Sequence, residues 1–289
     1  MTAPEASHLR GITFMLAAVV AFSLMDVCLK LLSPHYPAMQ VAALRGLTSL
    51  PLVLIWIALS GGFAQVRSQR WGLHFLRGVL AVVMLSSFAF ALRDLPLAEA
   101  YSLFFVAPLL VTALAVPLLG ERVGWRRWLA ILVGLAGVLV VLRPDAARMS
   151  NLGSLAVLVA AISYALSAIT VRVLGRTEST QSMVFWMISL LTLFSVAASW
   201  SAWVEVRPQH LPILLTLAFS GAFGQYAVTE AFKDTEASIV APFDYSALIW
   251  GMGFDWFIWH TKPDRMMLLG ASIIIASGLY LMRRERVAT

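Results

Sequence analysis

Apolar residues run through this chain in long blocks, broken only by short polar or proline-bearing stretches. The blocks fall at 11–32, 39–59, 73–92, 97–119, 128–142, 152–173, 181–200, 211–232, 237–259 and 266–282. Most are close to the roughly 20 residues an α-helix needs to cross about 30 Å of hydrocarbon. The pattern predicts an all-α integral membrane protein with ten transmembrane helices. It is also written twice. With Gly11 aligned on Gly153, Phe22 falls on Tyr164 and Lys30 on Arg172. With Arg93-Asp94 aligned on Lys233-Asp234, Phe105 falls on Tyr245, Arg122 on Lys262 and Arg143 on Arg283. An odd number of crossings per copy inverts the second copy relative to the first. The expectation is two inverted five-helix repeats, 1–144 and 145–289, forming one transport domain. Their junction is where Arg143-Pro144-Asp145 breaks the helix and Asn151-Leu152-Gly153 restarts it. Secondary transporters use this construction and put the substrate site at the repeat interface near mid-membrane. A small-molecule carrier is the first expectation.

Composition agrees with that class. Hydrophobic residues make up 60% of 289 and charged residues 12%, against roughly 45–50% and 25% in soluble domains. The spans leave only short connections and no room for a soluble domain. The single cysteine, Cys28, lies in an apolar run, so no intrachain disulfide is expected. A net charge of +6 and a pI near 9.9 suggest an acidic partner. The basic residues, however, sit at helix ends rather than in an aromatic-interleaved stripe, so no nucleic acid is expected.

Charge placement orients the helices instead. With the N-terminus in the cytoplasm, the inner segments hold Arg10, Arg67, Arg70, Arg77, Arg122, Arg126, Arg127, Arg172, Arg176, Lys233, Arg283, Arg284 and Arg286. The outer ends hold fewer: Lys30, Arg93, Arg143, Arg148, Arg207, Lys262 and Arg265. Both termini are therefore expected in the cytoplasm, with Trp71, Trp125 and Trp128 at one interface and Trp200, Trp203, Trp256 and Trp259 at the other. The first span, with Arg10 ahead of it, has the look of a secretory signal. Its length, its charges Asp26 and Lys30, and its counterpart at 152–173 mark it as retained.

Charged groups at mid-bilayer cost roughly 2.5–3.5 kcal/mol each, so the polar residues inside spans carry the chemistry. Asp26 and Lys30, four apart on one helix face, read first as a self-compensating pair and second as a coupling or gating site. Arg45, with no acidic neighbour at helical spacing, reads as structural, snorkelling or pairing with another helix. In the ninth span, 100° per residue puts Ala241, Asp244, Leu248, Gly251 and Asp255 on one face and Trp250 opposite. Asp244 is a candidate pathway residue and Asp255 a candidate for coupling or gating. In the fourth span, Tyr101, Phe105, Pro108 and Thr112 share a face, and the repeat relates Phe105 to Tyr245 and Pro108 to Leu248. Tyr164, Gln225 and Tyr226 add polar and aromatic groups from the sixth and eighth spans. Together these outline an amphipathic pocket, with Asp244 suited to an ammonium group. Pro108, Pro117 and Pro242 are expected to kink their helices. The fifth and tenth spans carry Ala130, Gly134, Gly137 and Gly270, Ala271, Gly278, close-packing surfaces that suit scaffold or a homo-oligomer contact rather than pathway.

Pro96-Leu97-Ala98-Glu99-Ala100, Val106-Ala107-Pro108-Leu109-Leu110, Leu119-Gly120-Glu121-Arg122, Trp128 and Val140-Val141-Leu142-Arg143-Pro144 resemble the first half of an EamA-type carrier of the drug/metabolite transporter superfamily. Arg45-Gly46 is similar to that family's arginine in the second helix. Thr261-Lys262 depart from the Gly-Glu expected in the second half. The resemblance implies a bacterial inner-membrane protein with a central cavity, moving small metabolites or drugs, usually outward, by alternating access. It also points to Glu121, which an ion-pairing role among Arg122, Arg126 and Arg127 suits better than proton coupling. Gly224-Gln225-Tyr226-Ala227-Val228-Thr229-Glu230 and Ala241-Pro242-Phe243-Asp244-Tyr245 resemble the branch of YddG-type aromatic amino acid exporters. Amino acids, aromatic ones first, are the substrate this implies, with membrane lipid as the other partner.

Other classes fit less well. The five histidines lie in tails, loops or helix ends, and there is no His-Glu-x-x-His and no paired aspartates at metal-binding spacing in a helix. No catalytic, metal or cofactor site is expected. A broad drug or metabolite exporter, a channel-like facilitator and an importer stay open. Proton coupling stays open too, with Asp26, Glu99, Glu230, Asp244 and Asp255 as the available carboxylates.

Overall fold

A computed structural model of the chain describes residues 3–93, 95, 97–142, 152–260 and 265–287. The described elements are helical: α1 (Ala3–Leu32), α2 (Ala38–Leu59), α3 (Trp71–Ala91), α4 (Leu97–Phe104), α5 (Ala107–Leu119), α6 (Trp125–Leu142), α7 (Leu152–Leu174), α8 (Thr180–Ser199), α9 (Leu211–Asp234), α10 (Ala237–Val240), α11 (Ala247–Trp259) and α12 (Arg265–Val287). The junction expected at 144/145, and with it Arg143, lies outside the described residues, as does Lys262.

The spans expected at 97–119 and 237–259 are both broken, and proline is the cause. Pro108 lacks an N–H, and inside a helix its ring would strike the carbonyl four residues back, that of Phe104. The helix α4 ends at Phe104 and α5 starts at Ala107. Pro242 bears on Ser238 in the same way, and α10 gives way after Val240 to a 3₁₀ turn, Ala241–Ser246, before α11. Among the described residues, six helices are each long and apolar enough to cross a membrane: α1, α2, α3, α7, α8 and α9. The helix α5 and the Leu268–Ser277 part of α12 are shorter apolar helices.

The helices pack in long pairs: α1 along α9, α3 along α7, α2 along α8 and α6 along α12. Small residues sit where backbones approach. A Cβ on Gly46 would come within 2.3 Å of the Thr192 hydroxyl, joining α2 to α8, and one on Gly137 within 3.0 Å of the Gly270 carbonyl, joining α6 to α12. The Ser277 hydroxyl donates to the Ala130 carbonyl at 2.7 Å across the same seam. Part of the small-residue face of the fifth span, Ala130 and Gly137, is thus spent on the tenth span inside the chain, while Gly134 packs against Tyr245. Several hydroxyls are satisfied within their own helix: Thr48 donates to the Leu44 carbonyl, Ser163 to Val159 and Thr192 to Ile188. Such local bonds make serine and threonine tolerable where water is absent.

Three loop side chains fasten helix starts. Glu178, between α7 and α8, accepts from the backbone N–H groups of Gln69 and Arg70 ahead of α3, at 2.7 and 3.1 Å, and from the Ser182 hydroxyl at 2.8 Å. Tyr36, between α1 and α2, accepts from the Arg207 N–H at 3.1 Å and shares a 2.7 Å hydrogen bond with His210 Nδ1 ahead of α9. Glu121 accepts from the N–H groups of Ala237 and Ser238 at 2.8 and 3.1 Å. Glu121, expected to pair with neighbouring arginines, thus meets backbone N–H groups, while nearby Arg127 pairs with Glu236 at 2.6 Å.

Candidate functional site

A cavity opens between α1, α2, α3, α4, α7, α8, α9 and the Ala241–Ser246 turn with the start of α11. Among the described residues α6 and α12 give it no wall. Most of the wall is aromatic or aliphatic, and its charges among the described residues are Asp26, Arg45, Arg77 and Asp244. An apolar pocket with a few polar groups is the usual form of a small-molecule site.

Each carboxylate is held by one phenol. The Tyr101 hydroxyl donates to Asp26 at 2.9 Å, and the Tyr164 hydroxyl donates to Asp244 at 2.9 Å. The breaks in the fourth and ninth spans make this arrangement local. The helix α4 ends just beyond Tyr101. In the 3₁₀ turn residues three apart eclipse one another, so Asp244 and Ala247 both face the cavity. Glycine makes room for the rings: a Cβ on Gly251 would lie 2.8 Å from Tyr101, and one on Gly224 would lie 2.7 Å from Phe22. Ring contacts then run around the wall, from Phe88 to Tyr101 at 6.2 Å, Tyr101 to Phe105 at 5.8 Å and Phe104 to Tyr164 at 5.5 Å.

Arg45 lies wholly inside the protein, with its guanidinium carbon 5.9 Å from the centre of the Phe22 ring. Its Nη1 is buried without a hydrogen-bond partner among the described residues. Arg77 is equally buried and donates to the Met183 carbonyl at 3.1 Å, which removes it from the interfacial charges it was counted among. Gln225 Nε2 reaches Thr229 Oγ1 at 3.3 Å along its own helix.

Of the expected site residues, Tyr101, Phe105, Tyr164, Gln225, Asp244 and Asp26 share this wall. Pro108, Tyr226, Tyr245, Leu248 and Lys30 do not. Tyr245 is buried behind the wall, 5.6 Å from Phe105 and against Gly134. Tyr226, next to Gln225 on α9, turns to the other side and meets Phe14 and Trp56. Leu248 falls off the face because the 100° wheel does not hold through a 3₁₀ turn. Trp250 is 41% exposed and away from the cavity, as the same wheel expected. Asp26, expected to pair with Lys30, accepts from the Tyr101 hydroxyl. The side chains of Asp255 and Glu99 lie outside the described residues. Missed outright were Arg77 and the apolar wall, including Phe22, Phe88, Phe104 and Met187. Arg45, expected to be structural, also lines the wall. Its signal was in plain view, a lone cation inside an apolar span; the apolar residues carry no signal that separates wall from core. Among the described residues no cluster of histidine, cysteine or carboxylate side chains has the makings of a metal site.

The model of the EamA-like transporter family matches this chain over residues 9–143 and again over 151–283. The chain belongs to the EamA-like transporter family. Among curated members, it is 30% identical to the S-adenosylmethionine uptake transporter of Rickettsia prowazekii, covering 97% of this chain and 95% of that one. It is 29% identical to the riboflavin transporter of Vibrio cholerae, covering 96% and 94%. It is 24% identical to a pseudopaline exporter of Pseudomonas aeruginosa, covering 96% and 97%. A solved structure titled only as the crystal structure of a protein superposes with a TM-score of 0.79 at 18% identity, covering 97% of this chain and 99% of that one, which extends the likeness of fold. This EamA-like chain is a multi-pass membrane protein of the drug/metabolite transporter superfamily, in a family whose named members move small solutes.

Proposed function

We propose that this EamA-like chain carries a small amphipathic solute with a ring-bearing body, aromatic amino acids first, by alternating access between two inverted repeats. The cavity wall carries the reading. Under the two sequence alignments, wall positions pair across the halves: Phe22 with Tyr164, Met25 with Ser167, Asp26 with Ala168, Arg45 with Met187, Leu85 with Gln225, Phe88 with Val228 and Phe104 with Asp244. The helix pairs α1 with α9 and α7 with α3 exchange under the same relation. So do the latches, since Tyr36 aligns with Glu178. A site shared between pseudo-equivalent halves is what rocking of one repeat against the other requires.

The rings of Tyr101, Phe105 and Tyr164 would meet an aromatic side chain, each offset-stacked or edge-to-face pair adding about 0.5–1.5 kcal/mol beyond burial, and Asp244 would take an ammonium group. S-adenosylmethionine and riboflavin, named for two relatives, also join a ring system to a polar tail. An inner-membrane location with both termini cytoplasmic belongs to this proposal and rests on the charge bias. If copies associate through the fifth and tenth helices, the exposed outer faces, such as Leu132 of α6 and Leu268 and Ile275 of α12, are the surface left to do so.

Counterflow in proteoliposomes tests the proposal, with labelled phenylalanine, tryptophan, threonine, S-adenosylmethionine and riboflavin. Ring-bearing solutes are expected to exchange and threonine is not, and Phe105→Ala should slow the ring-bearing ones selectively. Equal exchange of tryptophan and threonine would remove the aromatic preference. Export is the proposed direction; one relative is named for export and another for uptake, so inside-out and right-side-out vesicles are needed to read it.

A further inference from the structure

The cavity wall is matched in position across the two halves but not in charge. Asp26 stands where the other half has Ala168, Arg45 where it has Met187, and Asp244 where it has Phe104. A charge demanded by helix packing would recur where the packing recurs. Met187 fills its place with an apolar side chain, so α2 and α8 do not need a guanidinium to pack.

Arg45 is also held rather than left to roam. It is 2% exposed, and the Phe22 ring against it is seated on Gly224. Gly221 leaves its stem space on the α9 side, where a Cβ would lie 3.5 Å from Cγ and Nε. Yet no hydrogen bond from this guanidinium is found among the described residues, and Nη1 is buried without a partner. Asp26 interacts with it through space but takes its hydrogen bond from Tyr101. An unpaired buried charge is costly, and a guanidinium presents a planar fork that matches a carboxylate in two parallel hydrogen bonds.

We propose that Arg45 anchors the carboxylate of the transported solute while the aspartates of the same cavity receive its cationic group, so that the site selects amino-acid zwitterions over analogues lacking the carboxylate. This rests on the carrier reading above and narrows its substrate class. A doubly charged anion such as a phosphate ester would meet Arg45 but also the repulsion of Asp26 and Asp244; like-charge juxtaposition of this kind suppresses binding.

The test is a thermal-shift titration of the purified full chain in detergent with L-phenylalanine, L-phenylalaninamide and 3-phenylpropionate. In the native protein L-phenylalanine should bind roughly tenfold or more tighter than the amide, as expected for a charge-assisted hydrogen bond. Phenylpropionate should also bind more weakly, having no group for the aspartates. Arg45→Gln should erase the gap between acid and amide, and Arg45→Lys should keep part of it. Arg126→Gln, which removes an exposed cation outside the cavity, should keep all of it. Equal binding of acid and amide by the native protein overturns the anchor, and that comparison needs no variant to fold. So does a gap that survives in well-folded Arg45→Gln. Counterflow of a ring-bearing solute without a carboxylate, alongside no response to L-phenylalanine, would sink the anchor and leave the carrier reading standing. Absence of counterflow for every solute in the panel would sink both.

Discussion

Tyr101 shows how much of the cavity hangs on single atoms. Its hydroxyl donates to Asp26, its ring lies near Phe88, and the ring edge rests where a side chain on Gly251 would begin. An alanine at that position gains about 1 kcal/mol of helix propensity but adds a methyl in a space of 2.8 Å, and overpacking costs about 1–3 kcal/mol. The two nearly offset in stability, while the strain falls on Tyr101. Gly251→Ala is therefore expected to move the melting temperature little and to reduce transport at least as much as Tyr101→Phe does. Full transport by Gly251→Ala, measured in the same liposomes, would mean that the position of Tyr101 is not part of the site.

At the scale of elements, the loop carboxylate Glu178 ties α3 to α8. Burial alone would raise its affinity for a proton, but the N–H groups of Gln69 and Arg70, the Ser182 hydroxyl and neighbouring His74 favour the carboxylate, and its pKa is held below the ordinary value of 4.5. A carboxyl with a folded-state pKa below its unfolded one contributes stability that is complete above the unfolded value and is lost as pH falls through the folded one. Glu178→Gln should thus lower stability at neutral pH by about 1–3 kcal/mol, the cost of weakening buried charge-assisted hydrogen bonds. The deficit relative to the native chain should narrow as pH drops below 4.5. Melting curves of both proteins across pH 3–7, as far as the detergent-solubilised chains stay soluble, read this directly. A deficit independent of pH would assign the loss to packing rather than charge.

For the whole molecule, inversion of the second repeat is the claim with the widest consequences. Reporter fusions after Arg143 are expected to read periplasmic and fusions after Arg286 cytoplasmic. Both on one side would end the inverted relation and with it the pairing of Arg45 with Met187. The helix contacts give the expectation its form: under the inverted relation, α1 on α9 and α7 on α3 would be one contact made twice, and α6 on α12 and α2 on α8 would be contacts made across the relation itself.

Hydropathy and residue type in the sequence determined the class and the approximate extent of most helices, because an element that must satisfy its own backbone in lipid has to be a helix of a set length. They also marked Asp26, Tyr101, Phe105, Tyr164, Gln225 and Asp244, since polar and aromatic groups inside apolar spans are few enough to stand out. Tertiary structure decided the rest. Pro108 and Pro242 announced kinks, but only the folded chain shows that the ninth span becomes a 3₁₀ turn that keeps Asp244 in the wall and takes Leu248 out of it. Tyr226 and Tyr245 look like Tyr164 in the sequence; which ring faces a cavity and which a neighbouring helix depends on packing partners far away along the chain. That Arg45 lines a cavity is not legible in its own helix, because its surroundings come from α1 and α9. The ring of Phe22 and the glycines Gly221 and Gly224 close it in, and among the described residues its Nη1 has no hydrogen-bond partner.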